Sequence, residues 1–259
     1  MSLSKQQIID IEHVLRDSLR RKFQNYKPEP ASMPFHTRLL GKDRLALFSF
    51  IHSLNTNFGT SIFEPVAIAL AKNKFKNIKH ATAGDSISEG AHNQIQKIMD
   101  DLSTATSTPN KPREIELIRK VCQKGPMQKV KLTKVDVMLK SKDNQLYLFD
   151  IKTAKPNAGG FKEYKRTLLE WVAAILASSP KAKINTIIAI PYNPYEPKPY
   201  NRWTIRGMLD LENELKVADE FWDFLGGKGA YQDLLDCFES VGIELRSEID
   251  KYFGGFNKK

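Results

Sequence analysis

The sequence predicts an α/β protein: a mixed β-sheet core made of a hairpin, a crossover helix and a parallel strand, flanked by helices. Three observations carry that prediction. Apolar residues recur at helical spacing up to the polar stretch that ends at Pro112. They then alternate in twos through two short runs that a turn separates. Finally, a long amphipathic segment joins the second of these runs to a wholly apolar one, the pattern of a strand, a crossover helix and a strand.

Near the N-terminus Ile8, Ile9, Ile11, Leu15 and Leu19 fit one helix. DRLALFSFIHSL and PVAIALAKNKF fit two more, with Pro65 suited to a first helical turn. STATSTPNKP, Ser103 to Pro112, reads as an exposed loop. In KVKLTKVDVMLK the residues Val130, Leu132, Val135, Val137 and Leu139 alternate with one break in phase near Thr133. SKDN then supplies turn residues, and QLYLFDIKT is the return strand. GGFKEYKRTLLEWVAAILASS carries Leu168, Val172, Ile175 and Leu176 as the stripe of a packed helix, and AKINTIIAIP is a buried strand. Two buried strands joined by a helix pair in parallel through a right-handed crossover. The C-terminal stretch, with ADEFWDFLGG and AYQDLLDCFESVG, is helical with glycine stops. The expected organisation is one domain over 1–259: an N-terminal helical region over residues 1–110, a core with its following loop over 111–203, and a C-terminal helical region over 204–259.

Composition narrows the function. The 259 residues, 41% of them hydrophobic, suffice for a real core. The apolar run Trp171 to Ala177 is too short to cross a bilayer, and MSLSKQQIID lacks a secretion signal, so a cytoplasmic protein without membrane contact is expected. Cys122 and Cys237 lack zinc-site spacing and read as buried, reduced thiols. The five histidines show no metal-binding spacing either. The formal charge of +10 is uneven: fifteen basic and six acidic residues lie between Lys111 and Arg166, against six and twelve from Gly207 to Lys259. The positive field is therefore centred near LFDIK and suits a polyanion, nucleic acid above all.

LFDIK itself holds the chemistry. Asp150 and Lys152 are two apart on a strand and leave the same face. Asp136 opposes Asp150 if paired positions sum to 286, which needs a loop of three or five residues around Lys142 to Asn144. A four-residue loop would set Asp136 against Phe149 instead. Two carboxylates and an ammonium suit a hard divalent cation, Mg²⁺ with Mn²⁺ as a substitute, which can polarise a phosphodiester. Lys152 would orient the attacking water or stabilise charge on the phosphate. Lys155, Lys162, Lys165 and Arg166 form a basic set downstream, the last three on one helix face. PYNPYEPKPYNRW, stiffened by proline, presents Tyr192, Asn193, Tyr195, Lys198 and Arg202, with the side-chain types that read guanine and adenine edges. Asn157 and Arg206 complete the candidate DNA-binding set. Glu64 is a candidate third acid from an N-terminal helix, although Pro65 after it biases it away from helical geometry. Plainer readings are a salt bridge on a wet sheet face, a solvated helix surface and a rigid structural loop.

Over most of its length the chain resembles the TdeIII-like type II restriction endonucleases of the PD-(D/E)xK superfamily. The likeness rests on PFHTRLL, FGTSIFE, VDVMLK with YLFDIKTAKPN, IPYNPY, and EFWDFLGG followed by YQDLLDCFESVG. It implies a restriction-endonuclease-like fold and Mg²⁺-dependent cleavage of double-stranded DNA at a short, GC-rich, interrupted palindrome of the GGNCC kind, leaving 5′-phosphates. Asp136, Asp150 and Lys152 occupy the motif positions, with Glu64 as the helical acid. Val135 stands where the superfamily commonly has proline, and Asp150 where glutamate is commoner. A palindromic site implies a homodimer, and a restriction enzyme implies a cognate DNA methyltransferase as genetic partner. A structure-specific repair or recombination nuclease and a non-catalytic basic DNA-binding module are the alternatives.

Overall fold

The computed structural model describes residues 2–26, 33–77, 82–132, 134–152, 154, 160–201 and 207–254. Its helices, in chain order, are α1 (Lys5–Asn25), α2 (Pro34–Leu40), α3 (Lys42–Asn57), α4 (Glu64–Ala71), α5 (Glu89–Ser103), α6 (Lys111–Arg119), α7 (Gly160–Ser178), α8 (Asp219–Gly226), α9 (Ala230–Glu244) and α10 (Arg246–Gly254). The strands are β1 (Phe75–Asn77), β2 (Ser86–Ser88), β3 (Met127–Lys129), β4 (Val137–Ser141), β5 (Gln145–Ile151), β6 (Lys183–Ile190) and β7 (Leu215–Val217). Two compact units result, Met1–Leu70 with Gly227–Lys259, and Ala71–Gly226. The boundaries expected at 110 and 203 both fall inside the second unit.

The first unit is helical. Ser4 caps α1 through a reciprocal box with Gln7, and Arg16 and Arg20 of α1 pair with Glu244 and Glu248 at 2.8 Å. A π-helical turn, Phe58–Phe63, joins α3 to α4, so Glu64 is helical despite the proline that follows it. Pro65 cannot donate to the carbonyl four residues back, and Ser18 Oγ donates to that Ser61 carbonyl at 2.6 Å. Cys237 is buried here and Cys122 in the second unit, both as free thiols. Burial pushes the Cys237 thiol up to about 11, with Glu12, Asp233 and Asp236 adding to it.

The second unit holds the expected mixed sheet, in the order β1-β4-β5-β6-β7. Pairing is antiparallel from β1 to β5 and parallel from β5 to β7. α7 is the crossover between β5 and β6, and β6 is buried along most of its length, as its apolar run requires. The two sheet faces have different covers. On one, Phe149 of β5 meets Phe221 and Phe224 of α8 at 5.4 and 6.0 Å. On the other, Thr186 of β6 donates to the Leu168 carbonyl of α7 at 3.1 Å.

Three expectations change at the sheet margins. The alternating run before Thr133 does not belong to the hairpin: β3 pairs with β2 in a separate ribbon, and Val130 N donates to Asp85 O at 2.9 Å. Thr133 itself lies outside the described residues. PVAIALAKNKF is helical only to Ala71, after which Phe75–Asn77 adds an edge strand to β4. Phe75 packs against Tyr147 and Phe224 at 5.7 and 5.3 Å, contacts that a continued helix would forgo. Leu215–Val217, expected to be helical, pairs in parallel with β6.

Candidate active site

The hairpin register decides whether the acids meet. Paired positions run Val137 with Phe149 to Lys140 with Leu146, each summing to 286; the ladder ends there, with Asp136 and Asp150 next along the two strands and their carboxyls close neighbours. The turn that sets this register is the three-residue loop Lys142, Asp143, Asn144. Asn144 adopts φ 64 and its N–H donates to the Ser141 carbonyl at 3.1 Å, while Ser141 Oγ accepts from Gln145 N at 3.0 Å. Asparagine tolerates the left-handed conformation that such loops need at this position.

Beyond the regular ladder, Asp136 N donates to Phe149 O at 3.1 Å, and the Asp136 carboxylate accepts from Ile151 N at 2.8 Å. Asp136 is thereby tied to the partner strand by both backbone and side chain. Asp150 is 3% exposed. Its Oδ1 accepts from Lys152 Nζ at 2.6 Å, and among the described residues its Oδ2 is buried without a hydrogen-bond partner. Burial pushes the Asp150 carboxyl up to about 6; Lys152 pulls it down, and the neighbouring Asp136 adds to the rise. Lys152 Nζ also lies 4.8 Å from the centre of the Tyr164 ring on α7.

An orphaned, desolvated carboxylate oxygen beside a second carboxylate is costly unless something positive completes it. Among the described residues no group of three or more His, Cys, Asp or Glu is placed to hold a metal ion, so the donor set is this acid pair. One or two carboxylates, with water and phosphate oxygens making up the shell, are what Mg²⁺ commonly takes. The residues present therefore fit such an ion.

The sheet also places the proline-rich loop. β5 and β6 are parallel and end at the same edge, where Lys152 N donates to Ala189 O at 2.9 Å, and the loop begins directly after β6. The carboxyl edge of parallel strands is where ligands gather in such sheets. Tyr200 Oη donates to Ala154 O at 3.2 Å and ties the loop back to the chain beyond Lys152.

The type II restriction endonuclease HinfI family profile matches residues 3–242. The chain belongs to this family. It is 28% identical to the type II restriction enzyme MjaII of Methanocaldococcus jannaschii, over 93% of this chain and 72% of the relative. It is 26% identical to HgiEI of Herpetosiphon aurantiacus, over 91% and 89%, and 25% identical to HgiCII of the same organism, over 84% and 80%. The motifs resembled TdeIII-like enzymes; the family matched is HinfI, and type II restriction endonuclease is common to both.

Within this endonuclease the candidate residues separate. Asp136, Asp150 and Lys152 converge. Lys165 is a correction: it is fully buried, bonded to Glu114 Oε2 at 2.5 Å and Glu214 Oε2 at 2.6 Å, and cannot reach DNA phosphates. The sequence carried a sign of this, because Phe161, Leu168, Leu169 and Val172 stand at −4, +3, +4 and +7 from it, all buried. Arg166 donates to Gln96 at 2.8 Å, and Lys162 is exposed. In the loop, Tyr192 and Lys198 are exposed. Asn193 staples the loop, donating to Lys198 O at 2.7 Å and accepting from Tyr195 N at 3.0 Å. Lys155, Asn157, Arg202 and Arg206 lie outside the described residues. Glu64 opens α4 in the other compact unit.

Sequence reasoning missed the partners of Lys165. Glu214 also accepts from Lys111 Nζ at 2.8 Å, so two lysines and two glutamates form one buried cluster joining α6, α7 and the approach to β7. Burial raises the Glu214 carboxyl, but Lys111 and Lys165 outweigh it and hold the group below the usual carboxylate range. Tyr164 was missed as well, and its position one residue before Lys165 gave no sign of a contact with Lys152.

Proposed function

We propose that this family member is a cytoplasmic, homodimeric endonuclease that hydrolyses double-stranded DNA at a GC-rich, GGNCC-like palindrome, leaves 5′-phosphates and works beside a cognate methyltransferase. The observation that carries the chemistry is the orphaned Asp150 Oδ2 beside Asp136 and Lys152. The family supports endonuclease action; the base sequence rests on the resemblance of DIKTAKPN, IPYNPY and EFWDFLGG.

Asp136 and Asp150 would hold Mg²⁺, or Mn²⁺ in its place, with Glu64 as a third acid on the strength of the resemblance alone. The ion supplies Lewis-acid polarisation of the phosphate and a lower pKa for a bound water. The chain supplies placement. Asp136 is fixed by the Ile151 N–H, Asp150 is kept dry, and Lys152 donates toward the phosphate, countering the charge that builds up as the water attacks. Among the described residues the exposed Lys162, Tyr192 and Lys198 are the candidates for contacts with the duplex.

Digestion of a plasmid of known sequence with Mg²⁺ tests the reading, and end sequencing then gives the site and the cut. Discrete fragments with 5′-phosphates are expected. Branch-dependent nicking would replace site recognition with structure recognition, and binding without cleavage in Mg²⁺ or Mn²⁺ would leave a DNA-binding module.

A further inference from the structure

We infer that Tyr164 is a positioning residue for Lys152, its ring face holding the ammonium in place when Asp150 is otherwise engaged. The inference rests on the nuclease reading above. Among the described residues Lys152 Nζ has two close neighbours, Asp150 Oδ1 at 2.6 Å and the Tyr164 ring at 4.8 Å. A carboxylate that gives its oxygens to a divalent cation is a weaker partner for an ammonium, so the ion pair loosens as the site fills. A flexible four-carbon stem then needs another restraint. The ring provides one, because its negative face attracts the ammonium and a cation bound at the acids does not compete for it.

The ring is itself held. A Cβ at Gly160, one turn earlier on α7, would stand 2.7 Å from Tyr164 Oη and 2.8 Å from Cζ, so the ring lies across the bare glycine. Phe161, buried, packs edge-on to it with ring centres 5.5 Å apart. The residue after it, Lys165, is anchored in the buried charge cluster, which fixes this turn of α7. Gly160, Phe161 and Lys165 thus set where Tyr164 points, and Tyr164 sets where Lys152 can rest.

The test compares wild type, Tyr164→Phe, Tyr164→Leu and Gly160→Ala by single-turnover cleavage, DNA dissociation constant, melting temperature and the NMR shift of the Lys152 ε-methylene, assigned with Lys152→Met. In wild type and Tyr164→Phe the methylene should be shifted upfield by the ring current, with cleavage equal within about threefold, since both rings carry the attracting face. Tyr164→Leu should lose the shift and slow cleavage about tenfold, the scale of a desolvated cation–π contact, while DNA affinity stays unchanged. Gly160→Ala should keep or raise the melting temperature, because alanine favours helix, and still slow cleavage. A missing upfield shift in wild type, or wild-type cleavage by Tyr164→Leu in a protein that cuts DNA, overturns the inference alone. A normal shift in a wild-type protein that cuts no DNA with either metal overturns the nuclease reading and the positioning role with it.

Discussion

Asp150, the proposed metal ligand, also carries a cost. Its carboxyl is pushed up to about 6 chiefly by burial, with Asp136 adding to the rise. The sign follows from linkage: an acid whose folded pKa lies above its unfolded value stabilises the fold less as pH rises, and above about 6 its ionised form is a net penalty. Asp150→Asn removes that penalty and keeps the shape. In chelator at neutral pH the variant should melt at or above the wild-type temperature, gaining about 1–2 kcal/mol after relaxation of the site, while cleavage falls by about 10²–10³-fold or more. Adding Mg²⁺ should raise the wild-type melting temperature and leave that of Asp150→Asn unmoved, as expected when only the native site binds the ion. Scanning calorimetry with and without chelator, beside a cleavage assay, checks all three outcomes. A marked loss of stability in Asp150→Asn would show that the carboxylate is structural.

At the scale of elements the hairpin loop determines the site. Its odd length makes the paired positions sum to 286, and its third residue, Asn144, sits at φ 64. Asn144→Gly should be neutral or mildly stabilising, whereas Asn144→Val should cost about 1–2 kcal/mol, because a branched side chain crowds the left-handed region. Inserting one residue beside Asn144 should do something different. If β4 slips to absorb it, Asp136 opposes Phe149, and cleavage disappears although a sheet still forms; circular dichroism with a cleavage assay separates this from unfolding. The loop was legible in the sequence because turn chemistry is local. The first half of KVKLTKVDVMLK was misleading because alternation alone does not name a partner strand: among its described residues only Lys129 lies in a strand, β3, which pairs with β2 instead of β5. Lys165 departs from expectation for a related reason: Lys165 and Arg166 stand three and four residues after Lys162, which suggests a basic face, but apolar neighbours at −4, +3 and +4 from Lys165 describe the buried one.

Across the second unit as a whole, the buried cluster of Lys111, Glu114, Lys165 and Glu214 links helices to the sheet margin and carries balanced charge. Removing one member strands the others. Glu214→Gln should cost about 3–5 kcal/mol in chemical denaturation, because two buried lysines lose their shared partner. Glu214 is held below the ordinary carboxylate range, so its contribution is present above the unfolded value near 4.3 and is lost as pH falls through the lower folded value. Acid unfolding of Glu214→Gln should accordingly lack the component of pH dependence that wild type shows below about pH 4. The charge balance of the whole chain has its own consequence. With +10 overall and exposed lysines on α7 and in the loop, log affinity for DNA should fall linearly with log salt, by about 10³-fold from 50 to 200 mM if six or more phosphates are contacted. A flat salt dependence in a filter-binding titration would contradict a phosphate-dominated interface.

The sequence by itself determined what depends on residues close along the chain: the periods of α7, β5 and β6, the turn residues between the hairpin strands, and the two-residue spacing of Asp150 and Lys152, whereas the loop length that sets the register came from the structure. Backbone sterics and side-chain spacing settle these within a few residues. Only the tertiary structure decided what depends on burial and distant partners. It placed Lys165 between Glu114 and Glu214, 51 and 49 residues away, left Asp150 Oδ2 without a partner, laid the Tyr164 ring beside Lys152, and added β1 and β7 to the sheet edges. A charge on a helix reads the same in sequence whether it faces water or a buried carboxylate; desolvation is a property of the packed protein, and it turns a lysine into a core residue and an aspartate into a metal-binding candidate.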